Sequence, residues 1–233
     1  MSVKKKKTVL RWLFGWLCKI ILVILALSMF QVLILRFVNP PFTALMAWTW
    51  VQSRDARSLH GPRKLWRQLN VISPHLRKAV LAGEDQRFLL HHGFDFNEMN
   101  KAIKDMVLKK GVRGASTISM QVARTIFLWP DRSWLRKIAE AYYTGLVELF
   151  WSKKRILEIY LNTVDWGTGI MGAEAASKKY FHTSCSRISL SQAALMAAIL
   201  PNPHRWSPTR PNPQVLRRQK RILKDIKKMP LLS

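Results

Sequence analysis

The sequence predicts a mainly α-helical protein with one membrane-spanning helix at its N-terminus, and three observations carry the prediction. Ile20 to Leu35 runs without a charge. Extended back through Trp12 to Leu17 and forward to Val38, it reaches the ~20 residues a membrane helix needs. Helix starts then recur with their capping chemistry, at Ser73-Pro74, Asp95-Phe96-Asn97-Glu98 and Ser152-Lys153. Apolar residues follow each start at helical spacing, and no strand candidate of quality appears.

Lys4 to Lys7 and Arg11 make residues 1–11 a basic tail, and 12–38 form the anchor. Lys19 interrupts the apolar run and Arg36 sits near its far end, where long cations snorkel toward headgroups. No small-residue cleavage signal follows, so the segment reads as an uncleaved anchor rather than a signal peptide. The basic flank predicts a cytoplasmic N-terminus with the remainder on the other side.

Charge narrows the partners. The chain has 39 Lys and Arg against 13 acids, for a formal charge of +26. Seven of the cations precede residue 39, so the exported part keeps 32 cations and all 13 acids. Such a balance calls for polyanions. A basic domain outside the cytoplasm meets lipid headgroups and their phosphates, and no nucleic-acid motif points to DNA or RNA. Cys18 and Cys185 form no spaced pattern, which predicts neither a disulfide nor a zinc site.

Residues 39–70 form a membrane-proximal segment, broken from the anchor by Asn39-Pro40-Pro41 and very apolar over Phe42 to Val51. From 71 to 233 the chain reads as one helical domain. Its first helix opens at Ser73-Pro74, with Gly83 placed to end it and Glu84-Asp85 just beyond. Paired acids at the negative pole of a helix dipole need a reason other than capping. A solvated helix end is the plain alternative to a general base at a cleft. Asp95 to Glu98 predicts a helix with Ala102, Ile103, Met106 and Val107 facing inward and Gly111 ending it. The loop Gly111 to Gln121 offers glycines, hydroxyls and an amide before a helix start, an arrangement that can receive an anion. A plain loop with a serine cap is the commoner explanation of such a stretch.

Next, Arg124, Arg132, Arg136 and Lys137 are interleaved with aromatic residues, and Arg suits bidentate phosphate contact. Leu135 to Trp151 predicts one helix with Ile138, Ala139, Tyr142, Leu146, Leu149 and Phe150 as its apolar side. Glu140 shares a face with Arg136 and Lys137, as a surface ion pair also would. Ser152 to Asn162 predicts another helix, Gly167 to Gly172 a loop, Leu190 to Leu200 an Ala-rich helix stopped by Pro201, and Val215 to Met229 a last one.

Five of these stretches together resemble the family 51 glycosyltransferases, the peptidoglycan polymerases. Glu84, Asp85, Phe88, His91 and Gly93 match its first motif. Gly114 to Gln121 match the second, with Ala115 in place of a glycine. Arg136, Lys137 and Glu140 match the third. Lys153, Ile156, Leu157, Glu158, Tyr160, Leu161 and Asn162 match the fourth, and Ala176 to Pro203 cover the fifth. With no transpeptidase segment before Ser233, the likeness is to the monofunctional branch. Departures are Arg124-Thr125 for Lys-Asn, Met120 for Gln, and Gly83 for a small residue with a Cβ.

The resemblance implies a lysozyme-like, two-lobed helical glycosyltransferase domain over 71–233, in a single-pass protein of the bacterial inner membrane with its catalytic domain periplasmic. It implies that lipid II is polymerised into β-1,4-linked strands with inversion and release of undecaprenyl diphosphate. Glu84 would be the base, and Glu140, the second catalytic-site carboxylate, would orient cations or bind a divalent metal rather than act as an acid. Asp85, Ser116, Thr117, Gln121, Arg124, Arg132, Arg136, Lys137 and Lys153 would contact substrate. A divalent cation, Mg2+ or Mn2+, is implied without specified ligands. The partners implied are lipid II, the lipid-linked nascent glycan, the membrane and other cell-wall synthases. Two rivals stand beside this reading: a lysozyme-like lytic enzyme, which would release soluble fragments from cell wall, and a non-catalytic scaffold, indifferent to Glu84.

Overall fold

The computed structural model describes residues 3–53, 65–108, 114, 116–131 and 133–232, with the side chains of 3–10 and 49–53 excepted. It divides into two compact units, Met1–Val38 and Asn39–Ser233. The first is a single helix, α1 (Val3–Phe37). Its stretch Arg11–Phe37 is long and apolar enough to cross a membrane, and no other described helix is. Trp12, Phe14, Leu22, Ile24 and Phe30 all face outward on it. A helix apolar on its outside, with a basic start, has the composition of a lipid-facing element.

The second unit is almost wholly helical. Its helices are α2 (Ala44–Ser53), α3 (Pro74–Glu84), α4 (Phe96–Val107), α5 (Ile118–Phe127), α6 (Trp134–Phe150), α7 (Lys153–Thr163), α8 (Ala173–Phe181), α9 (Leu190–Ile199) and α10 (Pro213–Asp225). Two packing groups position the site. In one, α3 lies on α9 and α10; in the other, α5 lies on α6 and α7. The core is continuous with them: Leu76, Ala79 and Val80 of α3, Ile156 and Leu157 of α7, and Ala194, Met196, Ala197, Ala198 and Ile199 of α9 are fully buried. The caps explain where several helices begin. Thr117, Ser133, Ser152, Ser189 and Asn212 each accept a backbone N–H of the first turn.

Five expectations are corrected. Ser73 opens α3 without capping it, because its hydroxyl donates to Ile188 O at 3.0 Å. Gly83 does not end α3, which runs through Glu84. A Cβ at Gly83 would lie 3.2 Å from Ile222 Cδ1, so the missing methyl lets α10 come close. A hairpin of β1 (Asp165–Gly167) and β2 (Ile170–Met171), antiparallel, stands where a glycine loop was expected. Ile103, Met106 and Val107 of α4 face outward rather than inward, at 53%, 57% and 72% exposure. On α6, Ile138, Tyr142 and Leu149 are likewise outside, while Glu140, Thr144 and Val147 are the buried side. Helical periodicity marks an apolar stripe but not what it faces. Gly111 lies outside the described residues.

Candidate active site

Glu84 is the last residue of α3, and the packing of α3 on α9 and α10 fixes where that helix end points. Its side chain is 13% exposed. Gln121 Nε2 on α5 donates to Glu84 Oε2 at 3.2 Å, and an Arg218 terminal nitrogen on α10 lies 3.4 Å from Glu84 Oε1. The Tyr160 hydroxyl on α7 donates to Gln121 Oε1 at 3.2 Å, which turns the amide so that its NH2 group meets Glu84. Burial pushes the Glu84 carboxyl above its usual range, Gln121 and Arg218 pull it back in part, and Asp85 adds to the rise. Two long contacts do not exhaust a carboxylate, which has about four acceptor positions. Glu84 is thus an acid of raised pKa with capacity left for a hydroxyl.

Its neighbour does something else. Asp85 is buried; His91 Nε2 lies 3.0 and 3.1 Å from its two oxygens, and Ile118 N donates to Oδ2 at 3.0 Å. A carboxylate only accepts, so the proton in this contact is on His91 Nε2, and buried Nδ1 has no hydrogen-bond partner among the described residues. Asp85 also meets the first N–H of α5, where the helix dipole favours a negative charge. Thr117 completes this joint, accepting from Met120 N and donating to Gly93 O at 2.6 Å. Gly93 has φ of +90°, and a Cβ there would meet Thr144 Cγ2 at 2.8 Å, so only glycine fits.

Asp85, His91 and Asp95 bring one ligand-type atom each within 4.8 Å of one another, a set that could hold a metal ion. As folded, these atoms are largely spoken for. Asp95 Oδ1 caps α4 through Asn97 N and Glu98 N, and its Oδ2 lies 3.1 Å from Arg87 Nε. An ion would have to displace Arg87 and compete with the N–H donors on Asp85, so the donor set fits a divalent cation poorly.

Glu140 is fully buried on α6, paired with Arg136 at 2.5 Å and with Lys137 at 2.7 Å. Each of its oxygens is held by a cation and no part of the side chain reaches solvent, so a metal ion would have to displace one of the two, while Lys137 keeps 45% of its side chain exposed. Arg124 is half-buried on α5, with no ion pair among the described residues. Its charge bears on Tyr160, as does that of Glu84, so all three belong to one neighbourhood. Ser116 is half-buried just before α5, and Arg132 lies outside the described residues. Lys153 is committed inward: Nζ contacts Glu148 Oε1 and His91 O, each at 2.7 Å, and sits 4.5 Å above the Phe88 ring. Ser119 donates to the same Glu148 oxygen. A surface hollow lined by Trp48, Trp129, Pro130 and Asp131 shares no residue with this group.

Three residues here escaped the sequence reading. Tyr160 sits inside a quoted motif, but nothing in spacing says its hydroxyl reaches Gln121. Glu148 resembles any surface acid of a long helix. Arg218 stands in a basic run past the last motif and is indistinguishable there from Arg217 or Arg221.

Residues 52–227 match the family model described as Transglycosylase. The chain is 45% identical over 203 residues to a biosynthetic peptidoglycan transglycosylase of Chromohalobacter salexigens, covering 87% of each chain. It is 45% identical over 218 residues to the protein of that name in Bdellovibrio bacteriovorus, covering 93% of this chain and 87% of the relative. The Caulobacter vibrioides protein of that name is 42% identical over 212 residues, at 91% and 90% coverage. The helical fold agrees with the family's lysozyme-like architecture. The chain belongs to the transglycosylase family, and it is a peptidoglycan glycosyltransferase.

Proposed function

We propose that the enzyme joins lipid II units into β-1,4-linked glycan, with inversion at the donor and release of undecaprenyl diphosphate. The observation that carries the proposal is Glu84 itself, a shielded carboxylate of raised pKa held by Gln121 and Arg218 with acceptor capacity to spare. A base is most effective when its pKa approaches the working pH, and burial moves Glu84 in that direction. Glu84 takes the proton from the 4-hydroxyl of the acceptor's GlcNAc. That oxygen forms a bond to C1 of the lipid-linked MurNAc from the face opposite the diphosphate. The C1–O bond to the diphosphate breaks, and the pair of electrons leaves with it.

A departing diphosphate needs positive charge, not a proton. Arg124, Arg132, Arg136 and Lys137 are assigned that task, with Glu140 setting the direction of the last two. Ser116 and Gln121 bound the donor side. Asp85, Thr117 and Lys153 are assigned to positioning, since their polar atoms serve the α3–α5 joint and the first motif. When bound, a divalent cation would add charge at the diphosphate; no residue set described above fits it well enough to carry a step.

Residues 12–38 are proposed to anchor the protein in the cytoplasmic membrane, with 1–11 cytoplasmic, 39–70 membrane-proximal and 71–233 catalytic on the far side. The outward apolar residues of α4 and α6 support a domain that works against lipid, beside its substrate. The nascent lipid-linked glycan and other cell-wall synthases are its proposed partners. Purified full-length protein in detergent, given lipid II alone, is expected to build long strands measurable by electrophoresis. Release of soluble fragments from cell wall with no strand formation would instead favour a lytic enzyme.

A further inference from the structure

We infer that Arg218, on the last helix and outside every motif quoted above, is a positioning residue for Glu84 that holds its carboxylate ionised and aimed. This rests on the reading of Glu84 as the base. The guanidinium is fixed from two sides: Nε donates to Ala198 O on α9 at 3.1 Å, and a terminal nitrogen stands 3.4 Å from Glu84 Oε1. The Arg218 side chain is 24% exposed, so its charge is only partly screened. Burial lowers its own pKa, Glu84 raises it in return, and nearby Arg221 lowers it further.

The rest of α10 keeps this contact in place. Ile222, four residues on from Arg218 and so on the same side of the helix, is buried and packs against the bare Cα face of Gly83, one residue before Glu84. The glycine that departs from the family pattern therefore sits where α10 crosses α3. Gln121 supports the other oxygen but is neutral, and Asp85 beside it is repulsive. Among the described residues Arg218 is the one cation in an ion pair with Glu84. It would keep the base charged before substrate arrives, at a distance of 3.4 Å that is long for a charge-assisted hydrogen bond.

The test compares Arg218→Lys with Arg218→Met in the full-length enzyme acting on lipid II, with Glu84→Gln in parallel. Both Arg218 variants keep a long stem for packing; only Lys keeps charge. The Met variant is expected to lower kcat by about tenfold with KM changed by less than about twofold, and Lys to recover most of the loss. Equal rates for Lys and Met, or a loss confined to KM, would overturn the assignment. Thermal unfolding of each variant shows whether α10 still packs; a Met variant that unfolds leaves the Lys variant against wild type, where a normal kcat supports the role of charge and a tenfold fall overturns it. If Glu84→Gln polymerises normally, the base reading itself fails, a result distinct from either Arg218 outcome.

Discussion

Glu84 and Glu140 are both shielded carboxylates on helices, and they are treated in opposite ways. Glu140 has no exposed surface and two cations at 2.5 and 2.7 Å. Glu84 keeps 13% exposure, an amide at 3.2 Å and a guanidinium at 3.4 Å. The first, shut from solvent and clamped by two close cations, organises the charges around it. The second is held but left wanting a partner, which is what a base requires. Burial alone does not separate the two roles; the charge and closeness of the partners do.

The contrast can be broken by removing each charge in turn. Glu84→Gln is expected to lower glycan formation by about 10^2 to 10^4-fold, the span general-base catalysis supplies. Its effect on folding has a definite sign. A carboxyl raised above its unfolded pKa binds protons more tightly in the folded chain, so its ionised form costs stability at neutral pH. The melting temperature of Glu84→Gln should therefore equal or exceed that of the wild type. Glu140→Ala should do the reverse, stranding Arg136 and Lys137 and costing about 3–5 kcal/mol in denaturant unfolding. A stabilised Glu140→Ala would remove the distinction between the two acids.

Glu174 sharpens it at a smaller scale. Burial would raise its carboxyl, but the Cys185 N–H, Arg67 and Lys178 outweigh that and hold it down at about 2. Its stabilisation is fully present above the ordinary value of 4.5 and is lost as pH falls from there through about 2. The loss should amount to about 3 kcal/mol, and Glu174→Gln should flatten that part of a stability–pH curve. Nothing in this window depends on Glu84, whose displacement is upward.

What the sequence disclosed was mostly local. The hydroxyl cap at Ser152, the acidic cap at Asp95 and the i, i+4 pairing of Arg136 with Glu140 are near-neighbour effects, read from spacing. The contacts that make Glu84 a candidate base are not local. Arg218 lies 134 positions away and Gln121 lies 37 away, and only packing brings them together. The same limit reversed the faces of α4 and α6. A stripe such as Ile103, Met106 and Val107 announces that something apolar covers it, and the core is merely the commonest candidate. The first motif concealed a division of labour as well: two adjacent acids diverge because one ends α3 and the next turns back to meet Ile118 N.

The outward side of α4 has a practical consequence. Phe96, Ile103, Met106 and Val107 are 53–72% exposed, on a helix that buries none of its residues. Trimming away residues 1–38 is the obvious route to a preparation that needs no detergent. It would remove one greasy element and leave another in place. The shortened chain should still bind micelles, cling to columns and self-associate at concentrations useful for crystallisation, because its handling would be governed by a helix some sixty residues downstream of the cut. Polar replacements at Ile103 and Met106, rather than a shorter N-terminus, are where a tractable form of this enzyme would be sought.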